Sequence, residues 1–264
     1  MKMVHAYDCI PEWRAARARA GRMLLALDFD GTLAPIVPVP DDAALLPGAR
    51  AALQRLLDRE DMLVAVVSGR ALEDARARVG LGEIYYAGNH GLEIEGAGVE
   101  RIHPEALETT HVVAECRAAL EAEFRAEPEV LVEDKHLSLS VHFRLVRDEA
   151  REQAIRARVE RCCGGRRGLR LLEGKKVVEV RPDVEWDKGR ATSFLVETLL
   201  GSNGIAPVIY IGDDRTDEDA FQALRGRGAG VLVAPHRLEH SAATAWVRSP
   251  DEVITLLERL ADDA

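Results

Sequence analysis

Residues 24–33 read LLALDFDGTL. The run from Leu24 to Leu27 is continuously apolar, the pattern of a parallel strand covered on both faces, and Asp28 and Asp30 follow where that strand would end. Residues two apart on extended backbone face the same way, so both carboxylates address one site while Phe29 turns inward. Gly31 permits a sharp turn, and Thr32 adds a hydroxyl and an amide beside the acids. Two acids at an open strand end suit metal-assisted chemistry on a phosphate, although a D-x-D pair alone is also common in solvated loops and caps.

The same strand-turn-helix pattern repeats along the chain. Residues 62–67 (MLVAVV) form a second apolar strand that runs into Ser68, Gly69 and Arg70 and then a helix over 71–79. A helix N-terminus presents unpaired amides and favours anions, while a serine there reads equally well as a simple cap. Residues 84–87 form a third strand ahead of Gly88, Asn89, His90 and Gly91, a sequence that suits a tight turn at the same strand edge. Lys188 precedes a helix over 191–200, where a lysine is ordinarily a surface residue. Residues 207–211 are another apolar strand, followed by GDDRTDEDAF over 212–221. That acidic run reads either as a solvated helix start or as the seat of a divalent cation. A last strand over 231–234 and a helix over 250–260 complete the alternation expected of an α/β fold.

Around these units lie less regular pieces. The first 22 residues carry an Arg/Ala-rich run with strong helix propensity, read as a surface helix. Pro35, Pro38, Pro40 and Pro47 mark a loop after the DFDGTL turn, with Pro47 placed to open the next helix. From about 105 to 183 the character changes. Val113, Cys116, Leu120 and Phe124 recur at helical spacing, and residues 137–144 alternate apolar and polar as a half-buried antiparallel strand does. A helix over 149–162 follows, and residues 169–182 suit a hairpin turning at Glu173 and Gly174. The expected division is a first core part over 1–104, a smaller α+β cap over 105–183, and a second core part over 184–264.

A chain of 264 residues can bury a substantial core. Its net charge of -10 disfavours a nucleic-acid footprint, which needs a basic stripe. With no long apolar stretch and no basic-then-apolar N-terminus, no membrane association is expected, and the reading is a cytoplasmic protein. Cys9, Cys116, Cys162 and Cys163 lack C-x-x-C spacing, so reduced thiols are expected.

DFDGTL, the strand ending in Ser68-Gly69-Arg70, Lys188, and GDDRTDEDAF arrive in an order that resembles the core of the haloacid dehalogenase-like phosphatases. AGNHGLEI from Ala87, VEDKHLSLSVHFR from Val132, KKVVEVRPDVEWDKG from Lys175 and YIGDDRTDEDAF from Tyr210 resemble the signatures of the trehalose-6-phosphate phosphatase family. The resemblance covers essentially the whole chain. It implies a Rossmann-like parallel-sheet core with an inserted α+β cap and a site in the cleft between them. It further implies that Asp28 is a nucleophile forming an aspartyl-phosphate and that Asp30 is the acid and base. Ser68 and Lys188 would hold the transferring phosphoryl group.

By the same resemblance, Mg²⁺ would be held by Asp28, the Asp30 carbonyl and Asp213. Gly31, Thr32, Asp214 and Asp217 would support the phosphate or the metal. Asn89, His90, Glu133, Lys135, Arg144, Lys175 and Glu179 would contact a small-molecule substrate, trehalose 6-phosphate, whose hydrolysis is the last step of trehalose biosynthesis. Alternatives are a phosphatase of another sugar phosphate, such as sucrose 6-phosphate or a hexose phosphate, or a non-catalytic sugar-phosphate sensor. Association with a trehalose-6-phosphate synthase is a further possibility that no residue here decides.

Overall fold

The computed structural model describes residues 3–201, 206–236, 238 and 240–262. In chain order the elements begin with β1 (Val4–His5), α1 (Ala6–Ala20), β2 (Met23–Leu27), α2 (Ala49–Leu57), β3 (Met62–Val67), α3 (Leu72–Val79), β4 (Tyr85–Gly88), β5 (Glu93–Gly96) and β6 (Val99–Ile102). They continue with α4 (Pro104–Glu108), α5 (Thr110–Phe124), β7 (Leu131–Asp134), β8 (Leu139–His142), α6 (Glu149–Cys163), β9 (Leu169–Gly174) and β10 (Val177–Pro182). The chain closes with α7 (Lys188–Leu200), β11 (Val208–Gly212), α8 (Asp217–Ala223), β12 (Ala229–Val233), β13 (Ala245–Val247) and α9 (Pro250–Ala261). No helix among the described residues is long and apolar enough to cross a membrane.

These elements form two compact units, one of residues 1–37, 42–101 and 186–264, the other of 38–41 and 102–185. The larger unit holds a nine-stranded sheet in the order β1-β13-β12-β11-β2-β3-β4-β5-β6. The strands from β1 to β4 in that order are parallel, and β5 turns back antiparallel to β4. Alternate residues of the central strands feed two apolar layers. Leu25, Leu27, Val64 and Val66 pack with Ala6, Ile10, Leu53, Ala75 and Leu257 of α1, α2, α3 and α9. Leu24, Ala26, Ala65 and Val67 pack with Leu195, Val196 and Phe221 of α7 and α8. Burial of both faces explains why the strands read as unbroken apolar runs.

Register then decides what meets at the sheet's C-terminal edge. Leu27 stands opposite Ile211 and Val66, and Val67 opposite Ala87. The residues that follow these strands, at Asp28, Ser68, Asn89 and Asp213, therefore emerge side by side. Such an edge is where ligands bind in open parallel sheets.

The smaller unit is an antiparallel sheet in the order β7-β8-β10-β9. Leu139, Val141, Val178 and Val180 point at Val113, Cys116, Leu120 and Phe124 of α5 and Ile155, Val159 and Cys163 of α6.

Several expectations need correction. α1 is not a plain surface helix, because Ala6, Ile10, Trp13 and Arg17 are buried along it. α2 opens at Gly48, in the left-handed region at φ 86°, so Pro47 lies outside the helix. Residues 130–144 are two strands joined by a tight turn. Asp134 Oδ1 accepts the His136 amide at 2.9 Å, and His136 adopts φ 65°. Ser140 on the polar side of β8 is 1% exposed, and Ser138 just before the strand is 5% exposed, so neither is solvated. The β9–β10 hairpin turns at Lys175-Lys176 and not at Gly174, which stays in register opposite Val177. Lys176 takes φ 58° there, and its Nζ is held by the Val146 carbonyl at 2.7 Å and Glu152 at 2.8 Å.

Candidate active site

Asp28, the first residue beyond β2, is 5% exposed. Its Oδ1 accepts the Phe29 amide at 2.7 Å, and its Oδ2 meets Lys188 Nζ at 2.8 Å. Lys188 is the first residue of α7, buried to 2% exposure, with the helix capped by the Asp187 carboxylate on the Arg190 amide. The same ammonium donates to Asp217 Oδ1 at 2.8 Å. Asp217 is fully buried, and its remaining valences are also filled: Tyr210 donates its hydroxyl to Oδ1 at 2.8 Å, and the amides of Asp213 and Asp214 donate to Oδ2 at 3.0 Å each. A buried carboxylate so completely hydrogen-bonded serves as a rigid anchor for the β11–α8 turn.

The charge balance of this cluster is negative. Burial pushes the Asp28 and Asp217 carboxyls up, although Lys188 pulls both down. Burial, with Asp217 and Asp214 beside it, pushes Asp213 up to about 8. Asp214 stays below the usual carboxylate range despite burial, because Lys188 and the Thr216 hydroxyl and amide favour its charged form. Lys188 is held well above its ordinary value by Asp217 and Asp28, which outweigh the burial that opposes its charge. One ammonium among four carboxylates leaves an excess of hard oxygen donors, the set that suits Mg²⁺. Carboxylate oxygens of Asp28, Asp214 and Asp217 lie within 4.8 Å of one another. This oxygen-rich donor set fits the divalent cation expected from the sequence. Asp213 also packs under Gly31: an added Cβ there would stand 2.1 Å from Asp213 Oδ2. Gly31 also sits at φ 75°, so both space and backbone call for glycine.

The neighbouring turns complete the edge. Ser68, 1% exposed, accepts the Arg70 amide on Oγ at 3.2 Å, which leaves its O–H to donate. Thr32 Oγ1 is buried with no hydrogen-bond partner among the described groups. Asn89 and His90 both adopt left-handed backbone, at φ 49° and 57°. Their amides bond the Arg70 and Ser68 carbonyls at 2.7 and 2.8 Å, tying this loop to the β3 turn. The Asn89 side-chain amide donates to Glu93 at 2.6 Å. The His90 ring lies over Gly69, where a Cβ would come within 2.8 Å of Nε2.

Asp30 is engaged by a residue to which sequence reasoning assigned no role. Arg70 Nε and Nη2 donate to its two carboxylate oxygens at 2.6 and 2.7 Å. Tyr210 was missed as well. A lone tyrosine inside a fully buried strand was the available signal, because its hydroxyl must find a partner.

The remaining candidates belong to the smaller unit. Glu133, Ser140 and Glu179 stand opposite one another across β7, β8 and β10. Lys135 Nζ, 5% exposed as a residue, lies 3.8 Å from Glu133 and 3.7 Å from Glu179. His142 and Arg181, unforeseen, join the group at 2.7 Å from Glu133 and 3.8 Å from Glu179. Arg144 lies just past β8, partly buried, whereas Lys175 is exposed in the β9–β10 turn, four positions along from Glu179.

Comparisons with known proteins show the family and the fold. A family profile described as trehalose-phosphatase matches residues 26–252. The chain is 39% identical over 257 residues to a protein named probable trehalose-phosphate phosphatase 4 from Oryza sativa subsp. japonica, covering 94% of this chain and 68% of that one. It is 42% identical over 245 residues to a trehalose-phosphate phosphatase from Mycolicibacterium paratuberculosis, covering 89% of this chain and 61% of that one. Among solved structures, the C-terminal domain of the C. albicans trehalose-6-phosphate phosphatase superposes with a TM-score of 0.78 at 21% identity, covering 96% of both chains, a likeness of fold.

Proposed function

Since the chain belongs to the trehalose-phosphatase family, we propose that it hydrolyses trehalose 6-phosphate to trehalose and phosphate, with Asp28 as the nucleophile. The observation that carries this reading is the placement of the Asp28 carboxylate: Oδ1 is fixed by the Phe29 amide and Oδ2 by Lys188. A nucleophile so restrained loses little orientational freedom on the way to attack.

Attack of a carboxylate on a phosphate monoester brings two anions together. Lys188 offsets part of that repulsion, and the Ser68 hydroxyl and the Thr32 hydroxyl are suited to hold phosphoryl oxygens. The bond from phosphorus to the sugar oxygen breaks as the Asp28 oxygen bonds to phosphorus, and Asp30 gives its proton to the departing alkoxide. Asp30 then takes a proton from water, which attacks the phosphorus and releases Asp28 as a carboxylate. Splitting hydrolysis in this way lets one residue act in turn as acid and base. Asp28, Asp213 and Asp214 would hold a Mg²⁺ ion, with Asp217 fixing the turn that carries the last two, and the ion would supply neutralisation of phosphoryl charge.

In the same proposal residues 102–185 act as the cap, and Glu133, Lys135 and Glu179 bind the disaccharide. Alternating carboxylate and ammonium groups match hydroxyls that both donate and accept, and a site built that way discriminates against esters lacking them. Arg144, Asn89 and His90 are further candidates for sugar or phosphate contact. Phosphate release from trehalose 6-phosphate, sucrose 6-phosphate, glucose 6-phosphate and an aryl phosphate tests the reading. Preference for trehalose 6-phosphate by about tenfold or more, abolished in Asp28→Asn, is expected, since one unpaired polar contact is worth about that much. Equal rates on all sugar esters would remove the assignment of residues 133–179.

A further inference from the structure

Four charged side chains in the larger unit form one continuous chain that starts at Asp30. Arg70 spans both Asp30 oxygens with Nε and Nη2, at 2.6 and 2.7 Å, and turns its third nitrogen, Nη1, to Asp74 Oδ2 at 2.7 Å. Asp74 is in turn gripped by Arg78 Nε, at 2.8 Å to Oδ1 and 2.9 Å to Oδ2. Arg78 Nη1 ends the series on the Ala43 carbonyl of the proline-rich loop at 2.6 Å.

Arg70 is the buried member, with its side chain 7% exposed, whereas that of Asp30 is 38% exposed. The guanidinium also lies 5.2 Å from the centre of the Phe29 ring, the residue between the two acids. Its backbone is committed as well: the amide donates to Ser68 Oγ at 3.2 Å and the carbonyl accepts the Asn89 amide at 2.7 Å. One residue thus touches three turns of the sheet edge, and within this assembly the Asp30 and Asp74 side chains, at 38% and 31%, reach solvent most. A planar fork bound at both oxygens selects a single rotamer of its partner, which a point-charge ammonium does not do.

We propose that Arg70 is the positioning residue for Asp30 and that Asp74 and Arg78 lock Arg70 in place, so that the acid that protonates the leaving sugar oxygen is oriented by a chain anchored at Ala43. The proposal rests on the hydrolytic reading given above. A misplaced acid matters only when the leaving group needs a proton. A sugar alkoxide does, whereas an aryl oxide such as p-nitrophenolate leaves unaided. Because kcat/KM covers only the steps up to loss of the leaving group, it isolates this role from the later attack of water.

The test is kcat/KM for trehalose 6-phosphate and for p-nitrophenyl phosphate in the wild type, Arg70→Met, Arg70→Lys and Asp74→Asn. In Arg70→Met a loss of about 10- to 100-fold is expected on the sugar ester, within the range that general-acid catalysis contributes, with the aryl ester retained to within about threefold. Arg70→Lys, which restores the charge but not the fork, should recover only part of the loss, and Asp74→Asn should show the same selective loss at smaller size. Retained aryl turnover also reports that the variants are folded. Equal losses on both esters, or full recovery by lysine, would overturn the positioning role. Should the wild type hydrolyse glucose 6-phosphate but not trehalose 6-phosphate, the substrate reading fails while the same ratio, taken with glucose 6-phosphate, still decides the role of Arg70.

Discussion

Lys188 Nζ lies 2.8 Å from Asp28 Oδ2, and this contact joins the first residue of α7 to the first residue beyond β2. The ammonium is shared with Asp217 at an equal 2.8 Å. Lys188→Met would leave two buried carboxylates facing each other. Breaking a buried pair by removing one partner costs about 3–5 kcal/mol. Urea denaturation should register a loss of that order together with loss of turnover, whereas Asp28→Asn, which keeps a polar partner for Lys188, should lose turnover with a much smaller change in stability.

Divalent cation should stabilise the protein. The carboxylates of Asp28, Asp213, Asp214 and Asp217 face a single buried ammonium, and Asp28, Asp214 and Asp217 oxygens already gather within 4.8 Å. A ligand at a hundredfold excess over its Kd adds about 2.7 kcal/mol to the unfolding free energy. Thermal melts with Mg²⁺ are expected to rise over melts in EDTA at matched ionic strength, and Asp214→Asn should shrink the rise. An identical melt with and without Mg²⁺ would remove the cation site.

Gly31→Ala probes the approach of the DFDGT turn to Asp213. The backbone is at φ 75°, and the new methyl would stand 2.1 Å from Asp213 Oδ2. A non-glycine residue forced into such a conformation costs about 1–3 kcal/mol. The Mg²⁺-dependent rise in Tm should weaken along with stability, because Asp213 must swing aside. A variant that melts and binds Mg²⁺ like the wild type would contradict the geometry.

Glu252 in the first turn of α9 accepts the Arg248 amide at 2.8 Å and faces His5 Nε2 at 3.1 Å. These contacts hold its carboxyl below the usual range even though burial works the other way. A carboxyl lowered in the folded state contributes stability that is present above its unfolded pKa and is lost as pH falls through the folded value. Contacts at a helix N-terminus are worth about 1 kcal/mol, or about 2–4 °C in Tm for a chain of this size. The Tm gap between wild type and Glu252→Gln should therefore be widest at neutral pH and close in acid below the carboxylate range. A gap that widens in acid would reverse the sign and rule the linkage out.

Much of the larger unit was legible because burial on two faces writes itself as apolar runs. Met62–Val67 begins and ends in the structure where its run does, β2 starts one residue before its run, and β11 is shifted by one residue at both ends. Short elements were invisible for the opposite reason. β1 and β13 hold two and three residues, too few for any period, and β5 and β6 carry charges among their apolar positions. The two hairpins of the smaller unit turn on His136 and Lys176 at positive φ, where sequence rules look for glycine or asparagine. What holds them is Asp134 in one case and the Val146 carbonyl and Glu152 in the other, contacts that no local pattern announces. At the site, the acids, Ser68 and Lys188 stood out by their position after apolar strands. Arg70 did not, because its role depends on reaching Asp30 across forty residues of chain.

The measurement that bears most directly on the central claim is release of inorganic phosphate and free trehalose from trehalose 6-phosphate by the wild-type protein in Mg²⁺, with Asp28→Asn alongside. Equimolar phosphate and trehalose from the wild type, absent with Asp28→Asn and abolished by EDTA, is the expected result. Failure to release phosphate from trehalose 6-phosphate under conditions where the same preparation hydrolyses another phosphate ester, or undiminished release by Asp28→Asn, would contradict it.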